Sequence, residues 1–190
     1  MDGGTSAGVQ EARAFIGLGS NLGDRLATLR SAVRALVDPE AGLELVAASG
    51  IYETSPMGPS TGAFLNAVIE LRTRWPAEQV MARLLEVEIL HGRERKERWG
   101  ARTLDLDLLV VLRGDGAGGF VSESRCSDGL TLPHEGIAER DFVLVPLMEV
   151  AGAGLVVRDE PVKRWLEALP AGQRTVLRRW DERLVEPPVG

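Results

Sequence analysis

The apolar positions change period several times along the chain. Arg13–Leu18 is a short and mostly apolar run, the length of a buried strand, and it empties into Gly19-Ser20-Asn21-Leu22-Gly23-Asp24. From Arg25 to Val37 the period becomes helical, with Leu26, Leu29, Val33, Leu36 and Val37 sharing a face, Asp24 placed to cap the start and Asp38-Pro39 ending it. Leu43–Thr54 reads as a strand, weakest near Gly50, and a loop dense in Pro and Gly covers Ser55–Gly62. Phe64–Arg72 is a further strand in which Asn66 is the polar exception. Pro76 suits a first helical turn, and Ala77–His91 places Val80, Leu84, Val87 and Leu90 on one stripe that Gly92 closes. A charged loop then runs into a strand reaching Val111. Arg113–Gly129 is polar and Gly-rich, which predicts a long mobile connection with a small hairpin around Phe120-Val121. Asp141–Val150 and Pro161–Leu169 read as two short helices.

This order of strand, helix, strand, strand, helix, strand and final helices predicts an α+β fold. It fits a ferredoxin-like βαββαβ sandwich with additional C-terminal helices better than a doubly wound sheet, which would need helices between nearly all strands. The chain has 190 residues, 44% of them hydrophobic, so one domain with a sizeable core is expected, with residues 1–11 and 181–190 as flexible tails. A formal charge of −6 argues against general nucleic-acid binding, which needs an excess of Lys and Arg. The lone Cys126 excludes an internal disulfide, and its polar surroundings do not resemble an activated nucleophile. Without a signal peptide or a run long enough to span a bilayer, a cytoplasmic protein with no membrane partner is expected.

The chemistry concentrates in Gly92–Val111. Arg93, Arg95, Lys96, Arg98 and Arg102 fall within ten residues, and the strand that follows carries Asp105 and Asp107 at i and i+2. Alternation puts both carboxylates on one strand face and Leu104, Leu106 and Leu108 on the other. An isolated D-x-D is usually a solvated strand face. Beside a cation cluster, the pair instead suits Mg²⁺ and a phosphate-bearing substrate, because hard oxygen ligands relieve their mutual repulsion by sharing a cation. One or two of the arginines could simply decorate a helix end. Trp99 is either a packing residue or a lid over a flat ring. The cluster Gly17-x-Gly19-x-x-x-Gly23 misses the dinucleotide fingerprint by one residue, and no Walker loop occurs. His91 and His134 are too far apart for a recognisable metal motif.

Taken together, G-S-N-L-G-D at Gly19–Asp24, F-L-N-A around Asn66, G-R-E-R at Gly92–Arg95 and R-W-G-A-R-T-L-D-L-D at Arg98–Asp107 resemble the 6-hydroxymethyl-7,8-dihydropterin pyrophosphokinases of folate biosynthesis. The later L-P-H and R-D-F-V-L-V-P-L segments match as well, so the resemblance runs from about Arg13 to about Val150. It implies a ferredoxin-like fold and transfer of pyrophosphate from ATP to the pterin hydroxymethyl group with release of AMP. By the resemblance, Asp105 and Asp107 hold two Mg²⁺ ions, and Arg93 and Arg102 act on the phosphates. Arg95, Lys96 and Trp99 belong to the nucleotide side. The pterin would lie among Gly19, Thr54, Ser55, Met57, Phe64, Asn66, Asp105 and Phe142, stacked between the two phenyl rings with its polar edge on Asn66. Glu88, Leu108, Leu130, Thr131, His134 and Arg140 would line the ATP side.

Leu85, Met57, Phe64 and Ala101 depart from residues common in that family, and the resemblance says little of Arg113–Gly129 or of the chain from Ala171, whose arginines read as solvated surface. The partners implied are ATP and the hydroxymethyl pterin, with no nucleic acid and a monomer as the expected state. In-line attack of the pterin hydroxyl on the β-phosphorus leaves two candidates for its activation: Asp107 as base, or Mg²⁺ itself. An ordinary kinase would release ADP instead, and an RNA-binding module would need aromatic and basic patterning that this chain lacks.

Overall fold

The structure is a computed structural model, and it describes residues 11–56, 62–92 and 103–185. It is a mixed α/β fold built on an antiparallel sheet, with four α-helices among the described residues. In chain order the elements begin with β1 (Ala12–Ser20), α1 (Arg25–Leu36), β2 (Leu43–Ala48), β3 (Gly50–Thr54), β4 (Phe64–Thr73), α2 (Ala77–Leu90) and β5 (Asp105–Gly114). They continue with β6 (Phe120–Ser122), β7 (Arg125–Ser127), β8 (Leu130–Leu132), α3 (Asp141–Ala151), β9 (Val156–Val157), β10 (Glu160–Pro161), α4 (Val162–Ala168) and β11 (Val176–Arg183). The main sheet runs β11-β3-β4-β1-β5-β6, with β2 also pairing β4.

Strand alternation sends apolar side chains to both sheet faces, and each face has its own helices. Ala14, Ile16 and Leu18 of β1, Leu65, Ala67 and Ile69 of β4 and Leu104, Leu106 and Leu108 pack with Leu29, Val33 and Leu36 of α1 and Val80, Leu84 and Val87 of α2. Phe15, Val68, Leu109, Val110 and Leu112 form a second cluster with Val143, Leu144 and Leu147 of α3 and Val162 of α4. A bulge explains how Leu109 and Val110, neighbours in sequence, both reach this second face: the β1–β5 register shifts between Phe15 and Ile16. The sheet is therefore a middle layer, and the acids of β5 lie on its α3 face.

Local chemistry accounts for the element ends. Asp24 caps α1 by accepting a hydrogen bond from the Ala27 N–H at 3.0 Å. The run expected as one strand over Leu43–Thr54 is broken at Ser49. Its hydroxyl accepts from the Val68 N–H at 2.9 Å while its own N–H donates to the Val68 carbonyl at 2.9 Å, so the side chain substitutes for a ladder partner. His91, at the end of α2, is structural: its ring meets the Val87 carbonyl at 2.7 Å and Ser31 Oγ at 3.0 Å.

Two further regions differ from the sequence expectation. Over Arg113–Gly129 the chain adds β6 to the sheet edge and forms a β7–β8 hairpin, and Asp115 closes the turn by accepting from the N–H groups of Ala117 and Gly119. The expected long connection is thus mostly paired backbone. At the other end, the arginine-bearing stretch from Ala171 is a sheet edge, because β11 pairs β3 through Arg183 and Leu184 is buried. Fraying from Asp181 does not describe residues 181–185. Glu53 explains much of the docking: it receives Arg178 Nε at 2.7 Å and Arg25 Nη1 at 3.1 Å, and both guanidiniums stand over Trp180. The Arg178 hydrogen bond foremost holds the Glu53 carboxyl below its ordinary value. Among the described residues no helix is long and apolar enough to cross a membrane.

Candidate active site

The site forms where β1 ends between β4 and β5. Gly17 lies opposite Asp107, and Gly19 lies opposite Asp105 on one side and Asn66 on the other. Directly opposed residues share a sheet face, so both carboxylates and the Asn66 amide flank a strip of β1 that carries no side chains. The glycines have this consequence rather than a dinucleotide role: a Cβ on Gly19 would fall 3.0 Å from Asn66 Oδ1 and 3.9 Å from Asp105 Cβ. The Ser20 hydroxyl donates to the Thr103 carbonyl at 2.6 Å, which holds the entry of β5 against the exit of β1.

Asn66 is buried, and its Nδ2 donates to Thr54 Oγ1 at 2.8 Å, which fixes the amide orientation. Thr54 is in turn opposite Phe64, which is half-buried. A polar residue in an apolar strand is thereby satisfied on one side and turned towards the glycine strip on the other.

Asp107 faces two cationic or potentially cationic groups, His134 Nε2 at 3.7 Å and Arg140 Nη1 at 3.8 Å. Both distances exceed hydrogen-bond range, so these are electrostatic neighbours rather than ligands that saturate the carboxylate. His134 is itself positioned: its N–H donates to the Leu109 carbonyl at 2.9 Å and its Nδ1 accepts from the Gly136 N–H at 3.1 Å, an arrangement that puts the neutral ring's proton on Nε2. Arg140 also stands 5.9 Å over the Phe142 ring, at the start of α3. Among the described residues no group of three or more His, Cys, Asp and Glu side chains converges, so the acid pair is the donor set available to a cation.

The remaining expected residues are distributed as follows. Glu88 is fully buried, and its Oε1 accepts from the Leu106 N–H at 2.8 Å, between the two acids on a stretch of β5 that β6 does not cover. Leu108 and Leu130 place their side chains in the core on the α1 and α2 side, while Thr131 is exposed on β8. Ser55 donates through its N–H to the Thr175 carbonyl at 2.9 Å. Phe142 is half-buried beside the second core cluster. Met57, Arg93, Arg95, Lys96, Arg98, Trp99 and Arg102 lie outside the described residues.

Sequence reasoning missed two long-range connections, the first buried and the second at the surface. Asp141 accepts from Thr175 N, Thr175 Oγ1 and Val176 N, and Glu149 accepts from Gly50 N, Tyr52 Oη and Arg179. Asp141 was visible only as the start of a helix within a matching segment, and Thr175 carried no signal. Burial foremost, and then its bond to Glu149, raises the Tyr52 hydroxyl above its ordinary pKa.

The sequence model of a family described as 7,8-dihydro-6-hydroxymethylpterin-pyrophosphokinase (HPPK) matches residues 15–152. The 2-amino-4-hydroxy-6-hydroxymethyldihydropteridine pyrophosphokinase of Methylorubrum extorquens is 40% identical over 162 residues, covering 84% of this chain and 96% of that protein. Its namesake from Mycobacterium leprae is 41% identical over 172 residues, 87% of each chain, and that from Bacillus subtilis is 40% identical over 138 residues, 72% of this chain and 77% of the other. In fold, the chain is similar to a solved HPPK-DHPS in complex with substrates, with a TM-score of 0.60 at 12% identity over 84% of this chain. Wild-type Plasmodium falciparum HPPK-DHPS gives a TM-score of 0.56 at 13% identity over 83% of this chain. The match spans under half of those two solved chains, 43% and 44%.

Proposed function

The chain belongs to the 7,8-dihydro-6-hydroxymethylpterin-pyrophosphokinase family, and from that premise we propose how its residues divide the work. The reaction transfers pyrophosphate from ATP to the hydroxymethyl group of 6-hydroxymethyl-7,8-dihydropterin in folate biosynthesis, and mass balance leaves AMP. The β3-β4-β1-β5 order with α1 and α2 on one face supports reading the core as ferredoxin-like, within a single domain that α3, α4 and β11 complete.

The pterin lies on the glycine strip. Gly19 lets its ring approach the backbone, and Phe64 and Phe142 bracket it. Asn66 presents Oδ1 and its second N–H to the polar edge of the ring, because Thr54 already occupies one amide hydrogen. Buried surroundings make each of these bonds count, since a misplaced ligand would leave the amide unsatisfied.

Asp105 and Asp107 hold the Mg²⁺ that an ATP-dependent transfer requires, and two ions are expected. The donor set fits: Mg²⁺ commonly takes one or two carboxylates and completes its shell with water and phosphate oxygens, and the described residues offer this acid pair and no larger cluster. When bound, the metal neutralises phosphate charge and lowers the barrier to attack at phosphorus. The protein's own residues do the rest. His134 and Arg140 hold Asp107 in place from 3.7 and 3.8 Å, and Ser20 fixes the strand entry. Glu88 anchors the backbone between the acids, keeping their separation constant as the triphosphate arrives. Arg93 and Arg102 take the phosphates, while Arg95, Lys96 and Trp99 act on the nucleotide with Thr131 at its margin, where Leu108 and Leu130 offer only backbone atoms because their side chains are in the core. Met57 closes the pterin side.

The observation that carries this reading is the register of Gly19, which brings the Asn66 amide and the Asp105 carboxylate to opposite sides of one residue without a side chain. A metal titration tests it. Asp105→Asn and Asp107→Asn should each reduce turnover by at least about a hundredfold at saturating pterin and ATP, since transition-state charge stabilisation is typically worth several kcal/mol. They should also weaken the Mn²⁺ affinity of the ATP complex. Near-normal turnover and unchanged Mn²⁺ binding in either variant would remove that residue from the metal site.

A further inference from the structure

Asp141 and Thr175 lie outside the roles assigned above, yet they join the Phe142 wall of the pterin slot and its Thr54–Ser55 edge to the last strand of the sheet. Asp141 immediately precedes Phe142 and is 3% exposed. Its Oδ2 accepts from the N–H groups of Thr175 and Val176 at 2.7 and 2.9 Å, and its Oδ1 accepts from the Thr175 hydroxyl at 2.6 Å. The Thr175 carbonyl turns the other way, taking the Ser55 N–H at 2.9 Å and its hydroxyl at 3.4 Å. Ser55 adjoins Thr54, which holds the Asn66 amide.

We infer that Asp141 and Thr175 are positioning residues for pterin binding, forming a latch by which β11 sets the distance between Phe142 on one wall and the Thr54–Ser55 edge on the other. A buried carboxylate with three directed donors has one low-energy placement, because loss of any donor leaves charge desolvated without compensation. Its place in the first turn of α3 adds the attraction of the helix N-terminus, so the carboxylate fixes the helix start as well as the strand. A second tie, Glu149 to Gly50, Tyr52 and Arg179, fastens the far end of the same helix to β3 and β11. A general staple would treat the two ties alike; a latch on the pterin slot makes only the first one matter to substrate. The inference rests on Phe142 being a wall of that slot.

The experiment measures KM for 6-hydroxymethyl-7,8-dihydropterin and for ATP in the full chain, well below each variant's unfolding midpoint. Thr175→Val keeps the volume and both N–H donors but removes the hydroxyl. It should raise the pterin KM about tenfold, the scale of one charge-assisted hydrogen bond, and leave the ATP KM unchanged. Thr175→Ser should restore the wild-type value, and Asp141→Asn should reproduce the defect if Thr175→Val does not fold. Glu149→Gln should lower the unfolding midpoint without moving the pterin KM. An unchanged pterin KM in Thr175→Val, or an equal rise in Glu149→Gln, would overturn the latch while leaving the slot itself intact. Phe142→Ala separates the two levels: if it leaves the pterin KM unchanged, the wall reading fails and the latch with it.

Discussion

Gly19→Ala is a one-carbon change whose effects on stability and on substrate should part company. The added Cβ would sit 3.0 Å from Asn66 Oδ1 and 3.9 Å from Asp105 Cβ, so the amide has to give way by a few tenths of an ångström. Asn66 cannot move without stretching its 2.8 Å bond to Thr54 Oγ1. Weakening one buried hydrogen bond costs about 1 kcal/mol. Replacing glycine by alanine in a strand returns about 0.5–1 kcal/mol by restricting the unfolded chain. The two nearly cancel, so the unfolding midpoint should move by no more than roughly 4 °C for a chain of this size. Substrate has no such compensation. The methyl group would stand on the strip proposed for the ring and turn the Asn66 amide away from it, so two or more hydrogen bonds would weaken together. A loss of about 3 kcal/mol corresponds to a pterin KM raised roughly a hundredfold. Thermal unfolding and an AMP-release assay at varied pterin concentration give both numbers. A pterin KM within about threefold of wild type, with the fold intact, would refute the placement of the ring against β1.

Two further outcomes follow from charge placement. Glu70 is 2% exposed and held by Arg13 through two oxygens, one at 2.9 Å, with the guanidinium also 5.6 Å from the rings of Phe15 and Phe120. Arg13→Ala strands that carboxylate, so it should destabilise the protein by about 3 kcal/mol, read as a midpoint lower by roughly 6–12 °C, and a loss under about 1 kcal/mol would contradict the pairing. Glu53 titrates below its ordinary value, chiefly because of Arg178. A depressed native pKa contributes stability that is fully present above the unfolded value of about 4.3 and fades as pH falls through the native one. Arg178→Ala should therefore raise the Glu53 pKa and flatten the acid limb of the stability curve, which carboxyl NMR titration and unfolding between about pH 3 and pH 7 will show; an unmoved Glu53 resonance midpoint would contradict the assignment.

The elements with a clean period were legible in the chain. The α1 stripe to Leu36 and Val37, the α2 stripe as far as Val87 and the division of Asp105 and Asp107 from Leu104, Leu106 and Leu108 all follow from helical or strand alternation, whereas Leu90, expected on the α2 stripe, is 73% exposed at the end of the helix. What escaped depends on side chains meeting across long separations. Ser49 breaks a strand because its hydroxyl reaches Val68, and no local pattern announces that bond. Strand β11 alternates exposed cations with Leu177 and Trp180, a pattern that reads as surface until Glu53 and Glu149 are seen opposite it. The glycines at 17 and 19 looked like a failed nucleotide loop. In register they are a strand whose missing side chains make room between acids and amide. Asp141 was read only as part of a matching segment, since its partner Thr175 lies 34 residues on.

If this acid pair and this glycine strip serve pyrophosphoryl transfer rather than ordinary phosphorylation, the pterin product carries two phosphorus atoms rather than one. Incubation with Mg²⁺, ATP and 6-hydroxymethyl-7,8-dihydropterin, followed by ³¹P NMR of the products, tests it most directly. AMP and a pterin carrying two coupled phosphorus resonances should form in equal amount, with both products absent when Asp107 is replaced by Ala. Release of ADP with a pterin bearing a single phosphorus would contradict it.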